Sequence, residues 1–181
     1  MGLNIRKTLS DRLVSLSGST CHDRVMRLDL IVLGVLAAAA VIAAVMIRRL
    51  KHDADMWHVD PLTAPTASTP NSYRVVPAES TVDADGVAPA FDKSAQDLAA
   101  AFDRVARKGS RVDVVSGSPE DGLVTYVQSS ALFAFPDYIS VKFIEIDSDT
   151  STLAVFSRSR LGKNDLGVNK KRITAWLKQL S

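Results

Sequence analysis

The run from Tyr138 to Ser159, "YISVKFIEIDSDTSTLAVFSRS", decides how this chain folds. Ile139, Val141 and Phe143 alternate with Ser140 and Lys142, the two-residue period of a strand with one buried and one wetter face. Both halves of the run are rich in β-branched and aromatic residues, and between them "DSDTS" (Asp147–Ser151) supplies the Asp and Ser of a tight turn. So short a connection joins antiparallel neighbours, because a parallel crossover needs a dozen residues or more. Two further runs of the same character precede it, "RVDVVS" from Arg111 and "LVTYVQSS" from Leu123, joined by the turn sequence "GSPEDG". "YRVVPA", from Tyr73, adds an edge strand stopped by Pro77.

Helical periodicity brackets these strands. Ser94 opens a helix, with Asp97 three residues on as its capping partner near the positive end of the dipole. Leu98, Phe102 and Val105, helped by Ala95, Ala99 and Ala106, recur at helical spacing, and Lys108-Gly109 closes the segment. A second helix, from about Leu166 to Leu180, puts Ile173, Trp176, Leu177 and Leu180 on one stripe. The expected fold is α+β: an antiparallel sheet of four or five strands with two covering helices.

Ahead of this domain, Leu30 to Ile47 is an uncharged run of eighteen residues, "LIVLGVLAAAAVIAAVMI". At about 1.5 Å per residue it covers roughly 27 Å, close to the hydrocarbon thickness of a bilayer, and it is apolar on every face. It reads as a single transmembrane helix. A cleaved signal peptide fits less well: its apolar region is usually shorter, and this run ends on Arg48, Arg49 and Lys51 rather than on a clean small-residue site. The expected organisation is a tail at 1–29, the span at 30–47, a linker at 48–71 and the α+β domain at 72–181. The linker, "DADMWHVDPLTAPTASTPNS" from Asp53, lacks periodicity and is rich in Pro, Thr, Ser and Ala, the composition of an extended connector. Trp57 within it suits either a lipid interface or the domain edge.

The basic residues Arg6, Lys7, Arg12, Arg24 and Arg27 outnumber the three that follow the span, which favours a cytoplasmic amino terminus and a domain on the periplasmic side of a bacterial inner membrane. A start at Met26 instead of Met1 would remove most of that bias. The chain carries 22 Lys and Arg against 20 Asp and Glu, but from Ser72 onward the counts are fourteen and fourteen. A domain without net charge lacks the basic field that nucleic-acid binding needs. Cys21, the only cysteine, and His22, His52 and His58 all precede the expected domain. No metal, no cofactor and no histidine-based triad is therefore expected within it. "DSDTS" lacks the glycine and the twelfth-position acid of a calcium loop.

One stretch combines unusual chemistry: Ser157 to Arg172, "SRSRLGKNDLGVNKKR", holds six basic residues, two glycines and one aspartate. A glycine-bearing turn before a helix amino terminus, ringed by Arg158, Arg160, Lys163 and Arg172 with Asn169 alongside, presents donors that suit carboxylate or phosphate. Gly162 and Gly167 have the spacing of the first part of a phosphate loop, but Val168-Asn169 stands where its Lys and Ser or Thr belong. Asp165 is placed to cap the helix, which would occupy the N–H groups an anion needs. On that reading Gly162 and Gly167 serve the turn, Asp165 the cap, and the basic residues are solvated or paired with acids on neighbouring strands.

The same residues carry a family likeness. "SRSRLGKNDLGVNKKR", with "FPDYISVKFIEID" and the hairpin to "TLAVFSRS" before it, resembles the carboxy-terminal signature of the domain of unknown function 1499 family. Gly162, Asp165, Gly167, Asn169 and Arg172 fall in register with the Gly-x-x-Asp-x-Gly-x-Asn-x-x-Arg pattern of that family. One departure is visible: the usual Arg-Ser-Ala-Ser-Arg strand here runs Phe156-Ser157-Arg158-Ser159-Arg160. The resemblance implies membrane association and no established reaction, cofactor or catalytic residue. Three functional expectations follow. The first is a noncatalytic, membrane-anchored domain that binds a protein partner or an anionic ligand at the basic joint. The second is an envelope- or lipid-directed enzyme using Asp137 or Asp165 with arginine support. The third is a structural assembly module without a ligand.

Overall fold

The computed structural model describes residues 26–47, 49 and 51–180. The basic tail before Met26, with Cys21 and His22, lies outside them, as does Arg48. The chain divides into two units, one ending at Met46 and one running from Ile47 to Ser181. Helix α1 spans Met26–Ile47, 22 residues whose most apolar stretch of eighteen has a mean hydropathy of 3.0, long and apolar enough to cross a membrane. It starts four residues earlier than the uncharged run because Met26 to Asp29 continue the same helical turn.

The second unit is built on one sheet. Strands β1 (Ser72–Val76), β2 (Gly86–Val87), β3 (Val112–Ser118), β4 (Leu123–Ser129), β5 (Pro136–Glu145) and β6 (Ser151–Ser159) assemble in the order β2-β1-β6-β5-β4-β3. All pairings are antiparallel except β1 with β2. The expectation of four or five antiparallel strands is corrected to six in a mixed sheet. The addition is β2, two residues that the irregular stretch after Pro77 brings back alongside β1; Val75 pairs with Gly86 and Val76 with Val87. Strand β1 is therefore interior rather than an edge, and Pro77 is harmless because it follows the last paired residue. The β5–β6 hairpin turns through Asp147–Thr150, where the Asp147 carboxylate accepts the Asp149 N–H at 2.9 Å; that bond holds the Asp147 carboxyl below its ordinary pKa.

One face of the sheet carries the helices. Helix α3 (Ala95–Lys108) begins as expected, the Ser94 hydroxyl accepting the Asp97 N–H at 3.1 Å and donating to the Asp97 carboxylate at 2.8 Å. Leu98, Phe102 and Ala106 are fully buried against Val124, Tyr126, Ile139, Val141, Leu153 and Val155. Helix α4 (Val168–Lys178) adds Ile173 and Trp176, whose indole meets Phe102 edge-on at 5.6 Å. Each of these large side chains contributes about 1.5–3 kcal/mol by leaving water.

The opposite face departs from expectation. The odd–even alternation turns Tyr138, Ser140 and Lys142 of β5 and Phe156 and Arg158 of β6 away from the helices. The segment expected as an extended linker lies on them: α2 (Ala54–Trp57) is a single turn capped by Asp53, and Trp57 stacks flat on Tyr138. His58 Nδ1 bonds Thr125 Oγ1 at 2.9 Å, and Lys142 pairs with Asp60 at 2.5 Å. His52 and His58 thus belong to the fold, which corrects the expectation that all histidines precede it. Pro and Ser content marks the segment as nonperiodic, but its aromatic and carbonyl groups satisfy a sheet face that would otherwise be wet.

Candidate functional site

The residues of the basic joint part company at the end of β6. Ser157 and Ser159 point toward α4, whereas Arg158 and Arg160 point toward the returning segment, so the sheet itself separates the two sets.

On the helix side, Asn169 is fully buried. Its Oδ1 accepts from Ser157 Oγ at 2.6 Å and from Arg172 Nη1 at 2.7 Å, while its Nδ2 donates to Asn71 O at 3.0 Å and Ser159 Oγ at 3.1 Å. Arg172 also donates to Gln128 Oε1, to Ser157 Oγ and, at 2.6 Å, to Asp137 Oδ2. Both partners of the Arg172–Asp137 pair are largely buried, at 7% and 14% side-chain exposure. These contacts tie α4 to β4, β5 and β6, and they give Asn169 and Arg172 an architectural task that the sequence reading had left open.

The turn between β6 and α4 is self-satisfied. Gly162 and Gly167 take positive φ angles of 89° and 75°, as turn glycines do. Gly167, rather than Asp165, stands at the helix N-cap, and it makes no side-chain cap. Asp165 performs the capping from two residues earlier, its carboxylate accepting from the N–H groups of Gly167 (3.0 Å) and Asn169 (2.7 Å). The helix amino terminus therefore already holds an anion belonging to the chain itself. Lys163 is exposed in this turn. A cleft of about 190 Å³ beside it is lined by Asp137, Ser159 and Asp165 together with Phe135, Leu161, Leu166 and Val168.

On the other face the arginines meet aromatic rings and carbonyls instead of acids. The Arg158 guanidinium lies 4.9 Å from the Phe156 ring centroid and 5.1 Å from that of Trp57. Its Nη2 donates to Trp57 O at 2.8 Å, and its buried Nε has no partner. Burial, and then the nearby charge of Arg74, press the Arg158 pKa down to about 10, so the group remains a cation at neutral pH. Arg74, 2% exposed, also lies over the Phe156 ring, 3.9 Å from its centroid. It donates to Ala64 O and Pro65 O, its Nε is also unpartnered, and burial lowers its pKa against the opposing pull of Asp83 and Asp85. Arg160 donates to Lys51 O at 2.9 Å and to Tyr138 Oη at 3.2 Å. Among the described residues, neither the Arg74 nor the Arg158 guanidinium has a carboxylate oxygen within 4.0 Å, although the Arg74 backbone N–H donates to Asp85 Oδ2 at 2.7 Å.

Polar groups beneath the segment form a chain. Thr125 Oγ1 donates to Ser140 Oγ and Ser140 Oγ donates to Trp57 O, so His58 Nδ1 supplies the proton to Thr125. Tyr138 Oη, accepting from Arg160, has its own proton free for His52 Nδ1 at 2.9 Å. The sequence reading missed Arg74, Trp57 and Tyr138 as members of this cluster. For Tyr138 the available signal was the even-numbered residues of β5 and β6, whose alternation assigns them to one face; Arg74, on β1, and Trp57, on α2, join them only through tertiary contacts. Among the described residues, no three His, Cys, Asp or Glu side chains converge as a metal site would require.

A family model described as "Protein of unknown function (DUF1499)" matches residues 62–180, well over half of the chain. The chain belongs to this family. Its matched region takes in Leu62 to Asn71, the part of the returning segment whose carbonyls Ala64 O and Pro65 O hold Arg74. Comparisons with curated proteins and with solved structures found no match.

Proposed function

We propose that this member of the family is a noncatalytic binding domain, held at a bacterial inner membrane by α1 and facing the periplasm, whose arginine face takes an anionic group. The observation that carries the reading is the cluster of Arg74, Phe156 and Arg158: two buried guanidiniums, each with an unpartnered Nε and neither in an ion pair, Asp83 and Asp85 acting on Arg74 without pairing with its guanidinium. Buried cations are ordinarily paired, and unpaired ones are retained where a ligand supplies the counter-charge. Lys51 O and Trp57 O occupy Arg160 and Arg158 as neutral oxygens, where a carboxylate or phosphate oxygen would bind more strongly. Of the tentative ligand residues, Arg158 and Arg160 serve this role. Lys163 adds exposed charge at the adjoining turn, and Asn169 and Arg172 hold the strand end that positions the arginines. Titration of the purified full chain with inorganic phosphate tests the reading through its tryptophan emission, to which Trp57 contributes on this face and Trp176 in the core. A saturable change that disappears in Arg158→Ala supports it, and an unresponsive wild-type protein opposes it. A reporter fused at the carboxy terminus tests the compartment, with a periplasmic signal expected.

A second reading, an envelope- or lipid-directed hydrolytic enzyme, has one observation in its favour: Asp137 lines the largely apolar cleft together with Asp165. Arg172 holds Asp137 Oδ2, and Asp165 caps α4 with both oxygens, so each aspartate already has a structural partner. Turnover of a phospholipid or ester substrate, abolished by Asp137→Asn with the fold intact, would favour the enzyme.

A further inference from the structure

We propose that the cleft beside Arg74 takes a small zwitterion, its carboxylate or phosphate oxygens on the Arg74 guanidinium and its ammonium group on Asp83 and Asp85. The cleft, about 340 Å³, is bounded by residues 66–70 of the returning segment, by the loop between β1 and β2, and by Phe156. That volume suits a small molecule better than a single ion, since ligand clefts begin at about 300 Å³. Its charged lining residues are Arg74, Asp83 and Asp85, and Thr66, Ser68, Thr69 and Ser72 add hydroxyl groups.

Opposite charges share this cleft without pairing. Arg74 is 2% exposed and its Nε has no partner. Ala64 O and Pro65 O hold its Nη2, but its Nη1 reaches Asp83 O only at 3.4 Å, longer than an ordinary N–H···O bond of about 2.7–3.2 Å. Asp83 and Asp85 are exposed and pull on the guanidinium electrostatically, yet among the described residues no carboxylate oxygen comes within 4.0 Å of it. A buried cation set apart from two carboxylates suits a ligand that meets each with its opposite charge. A simple anion would face the two carboxylates here, and a simple cation would face Arg74. The Arg158 end of the cluster differs, because the charge acting on Arg158 is that of Arg74 and not of an acid.

The frame of the cleft is held by the chain itself. Arg74 and Asp85 are bonded twice: the Arg74 N–H donates to Asp85 Oδ2 at 2.7 Å, and the Asp85 N–H donates to Arg74 O at 2.8 Å. One carboxylate oxygen of Asp85 is thereby fixed, and Oδ1 takes no part in these bonds. The wall at 66–70 is tied at both ends, by Arg74 Nη2 on Ala64 O and Pro65 O at 2.9 and 3.0 Å, and by Asn71 Nδ2 on Gly162 O at 2.8 Å. Charges set in place in this way cost little to order when a ligand binds.

The inference rests on the reading that the arginine face takes an anionic group, and the experiment separates the two. Isothermal titration calorimetry of the purified full chain compares phosphoethanolamine and glycine with inorganic phosphate, acetate and ethanolamine. At least one of the two zwitterions is expected to bind at least about tenfold tighter than every single-charge compound, the effect of one added hydrogen bond to a charged group. Either order of the two supports the proposal: phosphoethanolamine as the tighter assigns the cleft to a lipid headgroup, glycine to a free amino acid. Asp83→Asn removes charge without touching the backbone carbonyl near Arg74, and Asp85→Asn keeps an acceptor for the Arg74 N–H. In each variant the preference for the zwitterion should fall at least about fivefold while phosphate binding is unchanged. Arg158-dependent binding of inorganic phosphate, with neither zwitterion tighter, would overturn the proposal and leave the anion reading standing. A preference unchanged in both aspartate variants would also overturn it. No binding of any of the five compounds would overturn the proposal and the anion reading together.

Discussion

The indole of Trp57 lies flat on the ring of Tyr138, centroids 4.0 Å apart and planes within 10° of parallel, joining residues 81 positions apart on the face that α3 and α4 leave uncovered. Tyr138 is completely buried as a result, and the Trp57 carbonyl receives both Ser140 Oγ and Arg158 Nη2. Trp57→Ala is expected to destabilise the domain by about 2–3 kcal/mol, below the range for a fully enclosed indole because Trp57 is only partly buried. Denaturant unfolding of the variant checks this, and a change below about 0.5 kcal/mol would show that the segment merely rests on the sheet.

Replacing Arg172 by alanine leaves the Asp137 carboxylate buried without its cation and removes donors to Ser157, Asn169 and Gln128. A loss of about 3–5 kcal/mol is expected, with little recovery in Arg172→Lys, because an ammonium cannot reproduce the planar fork. Thermal unfolding of the two variants gives the comparison.

Gly117 is fixed by two neighbours. Its φ is 72°, and a Cβ there would stand 2.1 Å from Leu123 O and 2.8 Å from His58 Cε1. Gly117→Ala is expected to destabilise by more than about 1–3 kcal/mol, the usual range for a strained backbone position, since the carbonyl belongs to the β3–β4 pairing and cannot move aside. The imidazole resonances of His58 should shift in the same variant.

Tyr126 gives a pH dependence with a definite sign. Burial, and then the hydrogen bond to Asp103 at 2.9 Å, raise its pKa well above 10. The unfolded phenol ionises near 10 while the folded one does not, so its stabilising contribution is complete below that pH and declines as pH rises further. The stability difference between wild type and Tyr126→Phe should therefore shrink above pH 10, by about 1.4 kcal/mol per pH unit at the steepest. Paired denaturant titrations from pH 8 to 11 measure it.

The legible parts of the fold were those written in local spacing. Ser94 and Asp97 are three residues apart, the DSDTS turn is contiguous, and the apolar run of α1 is unbroken, so each could be read from a short window. Strand β2 could not, because Gly86 and Val87 become a strand only through pairing with β1. The fold-back of Lys51 to Pro65 was hidden for the same reason: Trp57 meets Tyr138, Asp60 meets Lys142, and Arg74 meets the carbonyls of Ala64 and Pro65, contacts that leave no periodic trace. At the basic joint, the residue types were visible but their faces were not compared. Counting alternation from Ile139 through the hairpin would have placed Ser157 inward and Arg158 outward, dividing the expected site in two.

The binding account turns on whether an anion competes with the chain's own carbonyls for Arg158 and Arg160. Hydrogen exchange of the amides in residues 51–58 of the full chain, followed as inorganic phosphate is added, tests this most directly. The account predicts a saturable rise in exchange as the segment is released from the arginine face, absent in Arg158→Ala. Exchange that is unchanged across the titration in the wild-type protein would contradict it.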